Sequence, residues 1–380
     1  MLINLLTYLS FILFSFGQLG RLSFSDQQIN IYLFEIIVIL LTIILLFEYK
    51  LKPIVDSFRN FKSIFLFFGA LLFSSIINIF NFNINENLVA FLYLSRLLMY
   101  FVFFIYFNFY VTKEKKQNLV EKGIFTFIVL TIIFSLVQYF LYPDLRNLFY
   151  LGWDPHLYRM FGLFFDTSIA GAIYGLIFLY LIVGKLKLNR YIRLILVAAY
   201  FIFIVLTFSR SLYLAITFSV FIIFIKRKSF KILIFYSLLF ILLLILAPKP
   251  AGEGVNLLRL FSVESRKESY IQAIKIWQKK PIFGIGYNNI RYEKIKTYVK
   301  EYNLEASHAG ASFHSSFLII LVCGGVVGLL LFIYVLYQLA INNQLFFILI
   351  IFLSLLSLSD NILLHPFILF QLLTSNLSDK

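Results

Sequence analysis

The sequence predicts an all-α polytopic membrane protein with about twelve transmembrane helices and one large extracytoplasmic loop. Three observations lead there. Of its 380 residues, 61% are apolar and 13% charged, with a mean hydropathy of +0.92, which lies outside the range of soluble domains. Apolar windows of about 15 to 23 residues, the length a helix needs to cross a bilayer, recur along the chain. The basic residues gather in alternate connections between those windows.

The windows run over 2–16, 31–47, 64–80, 88–111, 124–142, 162–183, 194–208, 212–225 and 232–247, then 313–339, 345–358 and 362–373. Each predicts a helix, which divides the chain into nine helices within 1–247, a polar segment over 248–312 and three helices within 313–380. The formal net charge of +15 raises the question of nucleic acid, and its placement answers it. Lys50, Lys52, Arg59 and Lys62 follow the second window, and Lys113, Lys115, Lys116 and Lys122 follow the fourth. Lys185, Lys187, Arg190 and Arg193 follow the sixth, and Lys226, Arg227, Lys228 and Lys231 follow the eighth. These connections share one parity, so the excess of Lys and Arg marks them as cytoplasmic and no nucleic-acid partner is needed. Both termini then face the cytoplasm and the 248–312 segment faces out. The first window lacks a basic leader and a small-residue cleavage site, so it is expected to stay as an anchor. Cys323 is the one cysteine and excludes an intrachain disulfide.

Function is expected to concentrate in 248–312. Within it "SRKESYIQAIKIWQKKP" predicts an amphipathic helix ended by Pro281, with Tyr270, Ala273, Ile274 and Trp277 on one face and Lys267, Lys275 and Gln278 on the other. Such a helix suits the membrane interface, but Arg266 falls on the apolar side and needs an anionic partner or a route to water. In the following "PIFGIGYNN", Gly284 and Gly286 permit close backbone approach; the GxG lacks the ending of a phosphate-binding P-loop. No HExxH and no cysteine cluster is present, so no metal and no cofactor is expected.

Four arginines stand where a membrane protein under-uses them. Arg96 lies roughly 13 Å inside the fourth window from the outer side, where a lone arginine costs about 3 kcal/mol. It has two readings: a structural pair with Glu35, or recognition of an anionic head group. Arg159 in "LYRMFGLFFDTSIAGA" and Arg210 in "LTFSRSLYLA" sit at outer helix ends. With Arg266 they predict an outward anion site, because the guanidinium fork matches phosphate. Among His156, His308, His314 and His365, His314 stands out at the mouth of the tenth window in "SFHSSFL".

Taken in order, "RMFGLFFD", "TFSRS", "RKESYIQA", "KPIFGIGYNN" and "HSSFL" followed by "GVVG" resemble the O-antigen ligase and O-antigen polymerase superfamily over 159–328. Ser315 stands where the family usually has Asn, Cys323 where Glu is common, and "DTS" where Asn-Pro-Asn is common. The resemblance implies a GT-C-like glycosyltransferase of the bacterial cytoplasmic membrane that needs neither nucleotide sugar nor metal. The implied donor is a glycan on a polyprenyl (undecaprenyl) diphosphate and the acceptor a sugar hydroxyl. In that scheme Arg266 and Arg210 bind the diphosphate, Arg159, Arg96 and Tyr270 assist in substrate binding, and His314 orients or deprotonates the acceptor. A polymerase would extend a lipid-linked glycan with a possible chain-length regulator as partner; a ligase would modify lipid A core in lipopolysaccharide synthesis. A polysaccharide flippase is the rival of another class, and it would distribute charge along a central path rather than at one face.

Overall fold

The structure is a computed structural model describing residues 1–25, 27–58, 61–151, 153, 156–184, 186–228, 230–246, 255–256, 261–298, 312–341 and 343–377. His308, with the rest of 299–311 and with 248–254 and 257–260 of the polar segment, falls outside the described residues. The elements run α1 (Leu2–Ser15), β1 (Arg21–Phe24), β2 (Ile29–Tyr32), α2 (Leu33–Tyr49), α3 (Lys52–Phe58), α4 (Lys62–Ile77), α5 (Ile84–Lys113) and α6 (Gln117–Leu141). They continue with α7 (Thr167–Val183), α8 (Arg190–Leu206), α9 (Arg210–Arg227), α10 (Phe230–Leu246), α11 (Phe261–Lys279), α12 (Ile290–Tyr298), α13 (Ser316–Ile341), α14 (Gln344–Ser357) and α15 (Pro366–Leu377).

A helix occupies each of the twelve apolar windows. Three of them, the 30-residue α5, the 25-residue α6 and the 26-residue α13, are long and apolar enough to cross a membrane on their own length and composition. Polar residues set where several of the helices begin. Asn83 and Glu86 form a reciprocal box at the start of α5, with both hydrogen bonds 2.8 Å long. Asp166 takes the Ser168 amide at 2.6 Å to start α7, and Asn343 takes the Phe346 amide at 2.7 Å to start α14. Side-chain acceptors there satisfy amides that a helix leaves open.

The antiparallel hairpin of β1 and β2 pairs Arg21 with Tyr32 and Phe24 with Ile29. It was not expected from the sequence, which offered only the start of a helical window at residue 31. The chain stays extended through Tyr32 because Glu35 accepts the Tyr32 amide at 2.9 Å and so begins α2 two residues late.

Helix α7 is buried along nearly its whole length, the mark of a helix at the centre of a bundle. It packs on α8, α9, α14 and α15, while α1 packs on α2 and α6, and α4 on α13. Phenylalanine fills much of the core: Phe14 lies 4.5 to 5.8 Å by ring centroid from Phe127, Phe34, Phe367 and Phe370, within the range of favourable aromatic contact.

The expected close approach at "PIFGIG" is made to another helix. Gly325 interrupts α13 with φ 65° and ψ −166°, a conformation accessible essentially to glycine alone. The break frees backbone groups of α13, and the 281–286 segment takes them up. The amides of Ile285 and Gly286 donate to the carbonyls of Val322 and Cys323, both at 3.0 Å, while those of Val326 and Val327 donate to Pro281 and Ile282 at 2.9 and 3.2 Å. Helix α4 completes the splice: Ser74 Oγ donates to the Cys323 carbonyl at 2.7 Å and Asn78 Nδ2 to the Gly284 carbonyl at 3.0 Å. A Cβ at Gly284 would lie 2.5 Å from the Cys323 oxygen, and one at Gly325 2.1 Å from the Ile282 oxygen.

The polar links sort into two ends. Tyr106 reaches the Lys50 carbonyl at 2.5 Å, Tyr110 reaches Asn4 at 2.9 Å and Arg227 reaches the Ile182 carbonyl at 3.1 Å, all among the basic connections. At the opposite end Gln138, Ser168, Asn78 and Tyr93 tie the non-basic turns together.

Two predictions follow from this packing. Gly325→Ala introduces both a disallowed backbone and a clash with Ile282, so it is expected to abolish the monodisperse peak in fluorescence size-exclusion of detergent-solubilised protein. Gly69→Ala, where nothing lies within 4 Å, should leave that peak intact. Glu35 is 1% exposed and receives both Arg96 nitrogens, Nε and Nη2, at 2.7 Å and the Tyr100 hydroxyl at 2.6 Å. Glu35→Gln or Arg96→Ala leaves one charge buried alone, a loss of about 3–5 kcal/mol. Thermal melts should show that destabilisation for each single variant and a partial recovery in the Glu35→Gln, Arg96→Leu double variant.

Candidate functional site

Asp360 lies in the short turn between α14 and α15, and three elements converge on it. Arg266 on α11 donates through Nη2 to Oδ2 at 3.0 Å. Ser168, in the first turn of α7, donates to the same oxygen at 3.1 Å. His314, two residues ahead of α13, places Nδ1 3.8 Å from Oδ1. The His314 side chain is 43% exposed, against 27% for Arg266 and 14% for Asp360. The imidazole is therefore the member of the group open to a ligand, with the carboxylate behind it.

Local sequence explains why these groups meet. Helix α11 carries Arg266, Ser269 and Tyr270 one turn apart. Tyr270 donates its hydroxyl to the Leu358 carbonyl, Ser269 Oγ accepts the His314 amide at 3.1 Å, and Arg266 reaches Asp360. One helix turn thus fixes both the 358–360 turn and His314, two residues before α13. Ser315 and Ser316 hold the same turn from the other side. Ser315 Oγ donates to the Ser357 carbonyl at 2.8 Å, Ser316 Oγ donates to Asn361 Oδ1 at 3.2 Å, and Ser316 Oγ accepts the Leu363 amide at 3.1 Å. The departure to serine at 315 therefore has a structural use. Helix α11 buries Ser269, Ala273 and Ile276 against α13, while Tyr270 and Ile274 are exposed. That differs by part of a turn from the face that apolar spacing alone suggested, because the buried stripe uses a small polar residue, Ser269, to meet the His314 backbone.

Arg159 is 6% exposed and turns inward. Its Nε donates to the Thr207 carbonyl at 2.8 Å, its Nη2 to the Phe208 carbonyl at 3.4 Å, and its Nη1 lies 3.3 Å from His156 Nδ1. It shapes the turn that delivers Arg210 to the first position of α9. Arg210 itself is partly buried. Its helix meets α7 near the Asp360 group, since a Cβ on Gly171 would lie 2.6 Å from Leu212. Arg210 and Ser168 thus open adjacent helices at the same end of the bundle.

A cavity of about 210 Å³ adjoins this group. Tyr32, Tyr93, Tyr287, Arg96, Asn361 and His365 are among the residues that line it. Arg96 sits with its guanidinium carbon 5.4 and 5.6 Å from the ring centres of Tyr32 and Tyr93 while held by Glu35. The structural pair with Glu35 is therefore present, and the same arginine also faces the cavity. Beside the rim, Lys294 on α12 is 3% exposed and donates to the Ser312 carbonyl at 2.6 Å. Its ammonium lies 4.3 Å from the Phe313 ring centre, and burial pushes its pKa down to about 8.

The sequence analysis brought out Arg266, Tyr270, His314 and Arg210 and missed Asp360, Ser168 and His365. A signal was available for Asp360. It lies in the three-residue gap between two apolar windows, the same kind of place that made Arg210 conspicuous.

No curated protein matches the chain. Residues 194–333, from α8 into α13, match the family described as O-antigen ligase. Arg210, Arg266, Tyr270 and His314 lie inside that match, and Arg96, Arg159 and Asp360 lie outside it. The segment bearing the arginine and histidine of the site is thus similar to the O-antigen ligase family over residues 194–333.

Proposed function

We propose that this protein is a polysaccharide polymerase of the bacterial inner membrane that joins polyprenyl-diphosphate-linked glycan units on the outer face, by inverting glycosyl transfer without metal. The observation that carries this reading is the meeting of His314, Asp360 and Arg266 at one end of the bundle, two of the three within the matched family segment. The acceptor hydroxyl gives its proton to His314 as its oxygen bonds to the anomeric carbon of the donor. The bond from that carbon to the diphosphate oxygen breaks, and the electron pair leaves with the polyprenyl diphosphate. Asp360 behind the imidazole steadies the imidazolium that forms, a contact that tightens as the ring becomes charged. Arg266, steered by Asp360, and Arg210 at the start of α9 meet the negative charge on the leaving group.

The family description itself favours a second reading, an O-antigen ligase that transfers the glycan to lipid A core by the same chemistry on a different acceptor. Both readings place the reacting groups at one face, unlike a flippase.

Purified protein given a lipid-diphosphate-linked glycan, with chelator and without nucleotide sugar, is expected to elongate it. His314→Ala should lower turnover about 100-fold or more, the scale of a lost general base. Arg266→Lys should also fail largely, because an ammonium does not reproduce the bidentate fork. Normal turnover by His314→Ala sinks the proton-transfer role, and a requirement for nucleotide sugar or divalent metal sinks the superfamily chemistry.

Sidedness has its own test. Cysteines placed at Lys228 and at Lys267 should react with a membrane-impermeant thiol reagent in opposite ways, position 267 in intact cells and position 228 only after permeabilisation. The reverse pattern would put the candidate site in the cytoplasm.

A further inference from the structure

The cavity beside Asp360 has a chemistry of its own. Its walls combine the rings of Tyr32, Tyr93, Tyr100 and Tyr287 with the side chains of Asn288, Asn361 and His365. Aromatic faces pack against the C–H faces of a pyranose, and amide and imidazole groups hydrogen-bond its hydroxyls. Asn361 Oδ1 accepts from Ser316 and His365 Nδ1 accepts the Phe367 amide at 3.4 Å. The amide nitrogen of Asn361 and the second ring nitrogen of His365 are thus the groups left to face a guest. The one cation in the wall, Arg96, is already matched by Glu35 through two hydrogen bonds, so the cavity suits a neutral polar guest rather than a diphosphate. Its volume of about 210 Å³ falls below the roughly 300–1,000 Å³ of sites for drug-sized ligands, which limits the guest to a single ring.

Position decides which ring. Ser312 and Asn361 form part of the lining, and each is a near neighbour in sequence of a reacting group: His314 two residues on from Ser312, Asp360 one residue before Asn361. The cavity wall at Ser312 and Asn361 is thus continuous along the chain with both His314 and Asp360, which puts it on the base side of the proposed reaction. In an inverting displacement the nucleophile enters opposite the leaving group, so the pocket on the base side belongs to the acceptor.

We infer that this cavity seats one sugar ring of the acceptor glycan and presents its hydroxyl at the Ser312–Asn361 rim to His314. The inference rests on the glycosyltransferase reading above, and it adds the place and the chemical class of the acceptor contact.

The test uses the free oligosaccharide released from the lipid donor by mild acid, a probe with neither lipid nor diphosphate. Added to purified wild-type protein at millimolar concentration, it should slow hydrogen–deuterium exchange in 287–290 and 361–366 and inhibit elongation. Leu364 lines the cavity, and Leu364→Trp should fill it, erase the protection and lower elongation at least 10-fold. Arg266→Ala should keep the protection. Leu364→Phe replaces the tryptophan variant if the latter loses its monodisperse size-exclusion peak. Wild-type protein that elongates the donor but shows no protection of these segments, or protection that both Leu364 variants keep, overturns the cavity assignment and leaves the reaction class standing. Protection in the cavity with no elongation under any condition strikes the reaction class and leaves the sugar pocket standing.

Discussion

The interlock between the break in α13 and the 281–286 segment is the constraint on which the rest of the molecule depends. An apolar helix interrupted in its interior exposes amides and carbonyls where lipid offers no partner, at several kilocalories per mole for each group. Here a loop from another part of the chain supplies those partners in both directions along the break. Because that loop is the continuation of α11, satisfying the backbone of α13 also sets where α11 lies. Arg266, Ser269 and Tyr270 then fall over the end of α13 and the turn after α14, so the geometry of the charged group follows from a backbone requirement in the apolar interior.

The charges at the site end are held by division of labour. Arg159 gives its donors to two backbone carbonyls, Arg96 to a buried carboxylate, and Arg266 to one that is 14% exposed. Only the last arrangement leaves the partner acid next to an exposed histidine. A buried ion pair such as Arg96 with Glu35 adds little net stability over apolar packing but is costly to break on one side. It therefore serves to fix α2 against α5 and to shape the wall of the neighbouring cavity.

Much of this was legible in the sequence, for physical reasons particular to each element. The twelve helices are visible because apolar runs of that length have few alternatives. Arg266 and His314 are visible because polar side chains at the rim of apolar runs are rare enough to notice. The role of Gly284 and Gly286 was half visible: close approach was legible, but the partner was not, since nothing local links "PIFGIG" to the glycine at position 325. The β1–β2 hairpin was hidden because its four-residue strands carry too little alternation to stand out beside a long helical window. Asp360 carried a local signal, a charge between two apolar runs, but the tyrosine wall was hidden because it becomes a site only when turns far apart in the sequence are brought to one end. Tyr93 and Tyr287, on α5 and in the loop before α12, have no reason to be read together until the fold joins them.

The splice also bears on how such a protein can be recombined. From Pro281 to Val327 the two partners of the break lie on one continuous stretch of chain, with α12 and the start of α13 between them. A crossover inside that stretch would pair a loop from one parent with a helix from another and mismatch hydrogen bonds that have no solvent to fall back on. Exchange between homologues should therefore proceed by moving the whole stretch as a cassette, with Ser74 and Asn78 on α4 kept as its receiving surface.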